Sequence, residues 1–300
     1  MFRVLKYIGI AVGAVILLLI VCVAGLYAWT SREVSKSVPV PAHGFTAPTD
    51  SASIARGEHV TRALAKCGDC HGADFGGDTL IDDPAFGTVY APNLTRGQGG
   101  VMAAYSDAEL EAAIRHGIRR NGQRLMIMPS QEFQLLSDED LGAVIAYIRS
   151  QPPVDRAPLT NRLGPIARGL YAGGVFPLFP AKIVTHGTEM VPSVAVDSTV
   201  AYGKYLADMG CAGCHGVGYG GGPIPGGPPE WPKPANLTPE GIGHYTQDDF
   251  VKALRTGVRP NGVAINEFMP IQATKLMTDT EIVAVYKYLK TVPSKAFGTR

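Results

Sequence analysis

Two short stretches decide how this sequence is interpreted: CGDCHG, from Cys67 to Gly72, and CAGCHG, from Cys211 to Gly216. Each contains a Cys-x-x-Cys-His unit, and the two units lie 144 residues apart. In a helical turn, residues at i, i+3 and i+4 share one face. Each unit therefore presents two thiols and one imidazole to a single flat object.

Such a unit is typical of covalent haem attachment, because the two thiols can form thioether bonds to the haem while the imidazole ligates its iron. Three alternatives use the same thiols: a zinc site built from all four cysteines, a thioredoxin-like redox pair, and disulfides. The first two give no role to His71 and His215, and a disulfide between cysteines three residues apart is strained. We therefore predict two haem c groups, attached at Cys67, Cys70, Cys211 and Cys214.

The region around each unit is repeated along the chain. The matched segments are PNLT (92–95) with ANLT (235–238), RHGIRRNG (115–122) with RTGVRPNG (255–262), and two closing helical patterns that pair Tyr147 with Tyr288. The offset between partners drifts by a few residues, as loops of unequal length would produce. The simplest interpretation is two copies of one module.

The repeat also nominates a sixth ligand for each iron, besides His71 and His215. Met128 and Met269 stand directly before proline at matched positions. A thioether sulfur is a soft donor that raises the reduction potential of a haem relative to a second histidine. Met126 is a rival in the first copy. The others, predicted to fill gaps in the core, are Met102, Met190, Met209 and Met277.

The local patterns predict an all-α fold. Ser106 and Thr246 each precede an acid by three residues, which is the pattern of a capping box. Gly117 and Gly257 follow where those helices should end. No alternating apolar-polar run is long enough to indicate a sheet. Small residues before the cysteines, Gly57 and Gly203, would let a second helix approach closely.

Other residues shared by the copies have less specific interpretations. The asparagines and threonines of the NLT segments are expected to order a loop at the haem rim. For Arg115, Arg255, Arg119 and Arg259, contact with haem propionates and a solvated helix face stay equally open. The histidines without a partner in the other copy are predicted not to be ligands: His59, His116, His186 and His244.

The amino terminus has the character of a membrane anchor. Arg3 and Lys6 precede an uncharged run from Tyr7 to Ser31, and about 20 apolar residues suffice to cross a bilayer. A cleaved signal peptide, the alternative, has a shorter apolar region of about 7 to 15 residues. The flanking positive charges predict a cytoplasmic amino terminus, with the rest of the chain outside. The formal net charge of +1 gives no reason to expect a nucleic-acid partner.

The predicted organisation has five parts. They are an anchor (1–31), a linker (32–50), a first domain (51–153), a connector (154–196) and a second domain (197–300). The linker is rich in Pro, Ser and Ala and is expected to be an extended tether. The connector is expected to lack strands, and its apolar run from Leu170 to Phe179 is too short to span a membrane. Packing between the domains is the favoured role for it; contact with the bilayer surface or with a partner subunit stays open.

With these motifs, each copy resembles a class I cytochrome c domain. The doubled arrangement, with FPLFP in the connector, resembles the cytochrome c subunits of bacterial membrane-bound dehydrogenases for alcohols, gluconate or aldehydes. The resemblance covers about residues 51–300 and implies that the chain passes electrons from a dehydrogenase catalytic subunit toward quinone, a soluble cytochrome or a terminal oxidase. It also implies a bacterial inner-membrane protein with its domains on the periplasmic side. Those subunits commonly carry three haem motifs and often a carboxyl-terminal anchor, whereas this chain has two motifs and an amino-terminal apolar segment.

The sequence therefore favours an electron carrier over an enzyme. One alternative is a dihaem peroxidase, which needs one iron with an open or displaceable sixth position. A methionine at the matched position in both copies argues against that alternative. The other is an electron-donating subunit fixed within a respiratory oxidase complex.

Overall fold

The protein is described by a computed structural model that covers residues 2–39, 44–187 and 189–300. Within these residues, α-helices form most of the regular structure, together with a π-helical turn, a 3-10 turn and three short strands. The α-helices are α1 (Phe2–Ser35), α2 (Ser51–His59), α3 (Gly68–His71), α4 (Asp107–His116), α5 (Ser130–Phe133), α6 (Asp138–Ser150), α7 (Pro165–Ala172), α8 (Val200–Gly210), α9 (Ala212–His215), α10 (Pro239–Ile242), α11 (Gln247–Thr256), α12 (Ile271–Thr274) and α13 (Asp279–Leu289).

In each copy, the helix before the cysteines crosses the closing helix at very short range. A Cβ atom at Gly57 of α2 would lie 1.9 Å from the carbonyl oxygen of Ala143 in α6. The equivalent atom at Gly203 of α8 would lie 1.9 Å from that of Ala284 in α13. Any larger side chain would force the helices apart, so the predicted close approach is confirmed in both copies.

The predicted helix caps are also confirmed. Ser106 and Thr246 each form a complete capping box, with Glu109 and Asp249 as the reciprocal acids. α4 and α11 both end at a glycine, Gly117 or Gly257, in the left-handed conformation. These local rules fix where the middle helix of each copy starts and stops.

The two copies differ in length just before the cysteines. Cys67 stands ten positions after Gly57, whereas Cys211 stands eight positions after Gly203. In the first copy a π-helical turn, Val60–Leu64, follows α2, and Lys66 takes a left-handed φ of 54°. A π turn holds more residues per turn than an α-helix. The extra length is therefore absorbed locally, and both cysteine turns keep the same form.

The prediction of an all-α fold is wrong in one region. A three-stranded antiparallel sheet forms from β1 (Asp78–Asp83), β2 (Gly87–Ala91) and β3 (Arg162–Leu163). Most side chains of β1 are exposed, so the strand has no alternation of apolar and polar residues that a sequence pattern could detect. β3 lies in the connector, which was expected to be free of strands.

The apolar core has two parts. The larger cluster joins buried side chains of both copies, such as Leu64 and Val144 with Leu206 and Ile282. A smaller cluster packs connector residues against the first copy and the end of α1; it contains Leu163, Ala167, Leu178 and Phe179, with Val34, Phe86, Met126, Ile127, Tyr171 and Phe176 partly buried around them. The connector also meets the second copy, where a Cβ at Gly226 would lie 2.8 Å from the carbonyl oxygen of Val175.

The segment after the apolar run differs from the expected extended tether. α1 continues to Ser35, and the amide of Val38 donates to the carbonyl of Gly122 at 2.8 Å. Residues 40–43 of the predicted linker lie outside the described residues. Beyond them, the amide of Ala47 donates to the Asp107 carboxylate at 2.9 Å. Both described parts of this segment are thus bound to the first copy.

Candidate functional site

The two Cys-x-x-Cys-His units form matching helical turns. In α3 and α9, the amide of the histidine donates to the carbonyl of the first cysteine, at 3.0 Å for His71 and 2.9 Å for His215. No disulfide joins the cysteines of either turn. The amides of Gly77 and Gly221 then donate to the histidine carbonyls, at 2.9 Å in each copy. The same backbone geometry therefore positions the same three side chains twice.

The orientation of each histidine ring is fixed by a backbone carbonyl. His71 Nδ1 lies 2.9 Å from the Pro92 oxygen, and His215 Nδ1 lies 2.7 Å from the Ala235 oxygen. Because a carbonyl can only accept, Nδ1 carries the proton and Nε2 keeps its lone pair, the arrangement of a metal-binding imidazole. Both side chains are 7% exposed. Burial lowers the pKa of each ring, which further favours the neutral form that can bind iron.

The NLT segments hold these carbonyls in place. The Asn93 side chain accepts hydrogen bonds from the amide and hydroxyl of Thr95, both at 2.8 Å, and donates to the Val154 carbonyl at 2.6 Å. Asn236 makes the matching bonds with Thr238 and with the Lys295 carbonyl. The predicted ordering of this loop is confirmed. The ordered loop fixes the carbonyl of the residue just before each asparagine. That carbonyl accepts the hydrogen bond from the histidine ring.

Sequence reasoning missed two further residues of the site. Phe75 and Tyr219 are almost fully buried, and both adopt the left-handed backbone region, with φ of 57° and 60°. Each accepts a hydrogen bond through its carbonyl from the leucine of the NLT segment. Their rings pack edge-on against Tyr147 and Tyr288. The repeat places both aromatics four residues after the histidine, so that matched spacing was the available clue.

The surroundings of the thiols do not favour thiolate chemistry. Burial raises the pKa of Cys67 to about 12 and that of Cys211 to about 11. Burial also raises the pKa of Cys70 and Cys214. A redox pair needs a stabilised thiolate, so these surroundings do not favour a redox pair. In the part of the chain that the structure describes, no three His, Cys, Asp or Glu side chains gather into a group that could hold a metal ion.

Met128 and Met269 occupy equivalent positions. Each is followed by a proline and then by a short helix, α5 or α12. The carbonyl of each methionine accepts a hydrogen bond from the amide two residues further on, at 2.8 and 2.7 Å. Both side chains are partly buried. The rival Met126 instead packs into the smaller cluster. Met102, Met209 and Met277 are buried as predicted, but Met190 is exposed and fills no gap in the core.

The matched arginines next to the site have protein partners. Arg115 donates to the Leu136 carbonyl at 2.7 Å and pairs with Asp138 at 2.6 Å. Arg255 pairs with Asp279, the residue equivalent to Asp138, at 2.7 Å. Both bonds tie the middle helix of a copy to the start of its closing helix. For Arg119 and Arg259, the described side-chain contacts do not distinguish contact with haem propionates from a solvated helix face.

Three of the unmatched histidines take part in contacts that join elements of the fold. His59 Nε2 lies 2.8 Å from both oxygens of the Glu281 carboxylate, which links the first copy to the second. His116 and His186 approach within 3.3 Å through their Nδ1 atoms, which links α4 to the connector. His244 stacks edge-on against Tyr245.

The contact between the copies has a crossed form. Just as His59 of α2 meets Glu281 of α13, Tyr205 of α8 donates to Asp140 of α6 at 2.8 Å. His59 and Tyr205 each stand two residues after their helix-crossing glycine, and Asp140 and Glu281 are the third residues of their helices. We name these two contacts the crossed interface. Arg56 adds a two-pronged ion pair to Asp140, at 2.7 and 3.0 Å.

Each cysteine turn also lies close to the opposite copy. Lys66, next to Cys67, donates to the carbonyl of Gly210 at 3.2 Å, directly before Cys211. Glu132 belongs to α5, the short helix after Met128 and Pro129. Its carboxylate lies so close to Gly213 of α9 that a Cβ atom at position 213 would be 2.2 Å from it. The two attachment turns are therefore brought together at the interface between the copies.

Comparison with known proteins identifies the family. The family profile for Cytochrome c matches residues 54–152 and 200–293, which together exceed half of the chain. The chain therefore belongs to the cytochrome c family. The donor set fits that assignment, because each copy offers two thiols and a buried imidazole whose Nε2 lone pair is free for iron.

Three relatives show which kinds of protein this chain is similar to. The chain is 28% identical over 274 residues to the cytochrome c subunit of the quinone alcohol dehydrogenase of Komagataeibacter europaeus, with 83% of this chain and 58% of the relative covered. It is 28% identical to the gluconate 2-dehydrogenase cytochrome c subunit of Pantoea cypripedii, covering 82% and 61%. It is 28% identical to a diheme cytochrome c-type protein of Cereibacter sphaeroides, covering 93% and 96%. The chain thus spans a little more than half the length of the dehydrogenase subunits.

Among solved structures, reduced recombinant cytochrome c4 from Pseudomonas stutzeri is similar at 20% identity, with a TM-score of 0.22 and coverage of 82% of this chain and 100% of that one. The two cytochrome c segments, together with the dihaem relative, establish the cofactor content. The chain carries two covalently bound haem c groups.

Proposed function

We propose that this protein is a membrane-anchored dihaem electron carrier, not an enzyme in itself. It would take electrons from a dehydrogenase catalytic subunit on the periplasmic face and pass them toward quinone, a soluble cytochrome or a terminal oxidase. The relatives that are cytochrome subunits of alcohol and gluconate dehydrogenases support this partner class.

One observation carries the proposal: the same ligand geometry is built twice. In both copies a buried histidine donates through Nδ1 to a carbonyl held by an Asn-Thr pair. A dihaem peroxidase needs two unlike iron sites, one of them open to substrate. Two like sites, each with a methionine at the matched position, suit a carrier.

We assign the site residues as follows. Cys67 and Cys70 bind the first haem, with His71 and Met128 as iron ligands; the second site uses Cys211, Cys214, His215 and Met269. Bound haem c supplies a one-electron couple at its iron. The chain contributes the neutral histidine tautomer, the buried surroundings and the contact between the two attachment turns. These fix orientation, ligand type and distance, which are the quantities a protein controls in such a site.

The proposed location rests on α1. Within the described residues, α1 is the helix that is long and apolar enough to cross a membrane, a property that a signal sequence near the amino terminus would share. Arg3 and Lys6 at its start favour a cytoplasmic amino terminus. The remainder of the chain would then lie on the periplasmic side of a bacterial inner membrane, crossed once.

Purification of the full chain from membranes in a mild detergent tests the assignment. We expect a dehydrogenase subunit to accompany it, and addition of that enzyme's substrate to reduce both haems, which should be low-spin. Co-purification with oxidase subunits instead would favour the oxidase-complex alternative. A high-spin haem that reacts with peroxide would overturn the carrier assignment in favour of a peroxidase.

A further inference from the structure

The connector helix α7 has an outer face without charge. Ile166 is 51% exposed, while the adjacent Ala167, about 100° further round the helix, is fully buried. Helical spacing puts Gly169, Leu170 and Gly173 on the same outer stripe as Ile166. The one charged residue between Leu163 and Ala181 is Arg168. A helix exposed to water normally carries polar or charged residues on its outer face, so the composition of this stripe needs another explanation.

Arg168 is not available to solvate that stripe, because it binds the end of α1. Its guanidinium donates to the Tyr27 carbonyl and to the Ser31 hydroxyl, both at 3.2 Å, and also contacts the Thr30 hydroxyl. It lies 4.3 Å from the centroid of the Tyr27 ring. The cation of α7 thus fixes this helix to one turn of α1.

Aromatic and ionic contacts strengthen the same junction. Trp29 of α1 stacks on Tyr171 of α7, with ring centroids 5.3 Å apart and planes at 18°. Glu33 pairs with Arg124 and with Lys182, each at 3.0 Å, and accepts from the Tyr171 hydroxyl at 3.2 Å. The Arg124 and Glu33 side chains are largely buried. α1, α7 and the loop before Met128 are therefore joined by one continuous set of contacts, which we call the junction.

The contacts determine the depth of α7. The apolar run from Tyr7 to Thr30 is about 36 Å long at about 1.5 Å per residue, slightly more than the roughly 30 Å hydrocarbon core of a bilayer. The turn from Tyr27 to Ser31 then lies at the boundary between acyl chains and headgroups, where tyrosine and tryptophan are enriched. α7, bound alongside that turn, lies at the same level.

From this geometry we infer that the outer stripe of α7, formed by Ile166, Gly169, Leu170 and Gly173, rests on the lipid bilayer at the headgroup boundary. The inference rests on the proposed membrane anchor, because α7 is bound beside the end of α1. A helix in that position can bury an apolar outer stripe at the boundary, while its inner side, with Ala167, packs on the smaller cluster. The first cytochrome c domain is thereby held against the membrane in one orientation, and not on a free tether.

Photo-crosslinking in native membranes tests the inference. A benzophenone amino acid is placed at position 166, at position 17 within α1, or at position 297, where Phe297 of the second domain is 56% exposed. After irradiation of the full haem-loaded chain, adducts are identified by mass spectrometry. We expect phospholipid adducts at 166 and 17, and none at 297.

The outcomes separate the two proposals. Lipid adducts at 17 but not at 166 overturn the α7 inference and leave the anchor intact. Protein adducts at 166 identify a partner subunit as the occupant and also overturn it. No lipid adduct at 17 rejects the anchor. Equal lipid adducts at 297 and 166 mean that labelling follows exposure alone, which contradicts a specific contact.

A second variant tests the junction itself. Arg168→Ala removes the contacts with Tyr27, Thr30 and Ser31, so the lipid adducts at 166 should fall while those at 17 are unchanged. Arg162→Ala, an exposed arginine of β3, is the matched control and should leave both yields unchanged. If Arg168→Ala leaves the yield at 166 intact, the junction does not position α7 on lipid.

Discussion

The first and second cytochrome c domains build the same site and cover it differently. Behind Met128, the amide of Ile127 donates to the connector carbonyl of Leu178 at 3.0 Å, and the loop joins the smaller apolar cluster. Before Met269, the equivalent residue Phe268 is exposed, and its ring lies 5.5 Å from that of Trp231 in the same domain. The interior around the histidine is therefore duplicated, while its cover differs: the segment before Met128 packs against the connector, and Phe268 before Met269 is exposed.

The largest effect should come from the attachment cysteines. Replacing both thiols of one turn, as Cys67→Ala with Cys70→Ala, or Cys211→Ala with Cys214→Ala, should remove one of the two covalent haems. The haem content of the denatured protein would fall by half in either case. Cys22→Ala, a thiol in α1, is the control and should retain both. A double variant that still holds two haems would contradict the site assignment.

Loss of the proposed methionine ligands should be the next largest effect, and it is visible in absorption spectra. Met128→Ala and Met269→Ala should each remove the sulfur-to-iron charge-transfer band of one haem and lower that haem's potential, because thioether ligation raises it. Met126→Ala should leave both bands in place. If Met126→Ala removes a band and Met128→Ala does not, the ligand in the first domain has been assigned to the wrong residue.

The helix crossings should respond equally in the two domains. Gly57→Ala and Gly203→Ala each put a Cβ 1.9 Å from a carbonyl oxygen, and overpacking of this kind costs about 1–3 kcal/mol, occasionally more. Urea unfolding of each domain, followed through its own haem absorption, measures the loss. Gly169→Ala, with open space around it, should change little. Unequal losses would show that the two crossings are not equivalent.

The smallest effect concerns pH and the crossed interface. Burial by itself raises the pKa of Glu281, but hydrogen bonds from His59 and the Thr278 amide, with the nearby charge of Arg56, hold that pKa below its ordinary value of 4.5. A carboxyl whose pKa is lower in the folded state stabilises the fold above its unfolded pKa. That contribution should be lost as the pH falls below about 4.5.

Glu281→Gln keeps a helix-capping side chain and removes the charge, so its urea midpoint should depend less on pH between about 6 and 3.5 than that of the unaltered protein. Glu58→Gln, at an exposed carboxylate on α2, is the control and should retain the full dependence. Parallel pH profiles for the unaltered protein and Glu281→Gln would exclude Glu281 as the source.

The site was predictable from the sequence wherever its chemistry depends on local spacing. The cysteine turns follow from residues three and four apart, and the caps of α4 and α11 from a polar residue and an acid three positions on. Comparing the copies also located the NLT loop. What it could not reveal was that the loop acts through the carbonyls of Pro92 and Ala235, because a backbone acceptor leaves no mark on residue identity.

The remaining differences have long-range causes. β1 is too exposed to show a strand pattern. It pairs with β2, whose other neighbour in the sheet, β3, lies far along the chain. The residues after the apolar run were expected to form a tether because of their composition. One of them, Glu33, instead pairs with Arg124 and Lys182, which lie 91 and 149 positions away in the sequence. Composition describes what a segment can do alone, and not which distant residues it meets.

The crossed interface has a consequence for assembly. A surface on which position i of one unit meets position j of the other, and j meets i, is self-complementary in the manner of a twofold homodimer. Joining both units in one polypeptide makes their encounter intramolecular, with an effective concentration set by the covalent connection. Pairing of the two electron-carrying units is then independent of how many copies of the protein the cell makes.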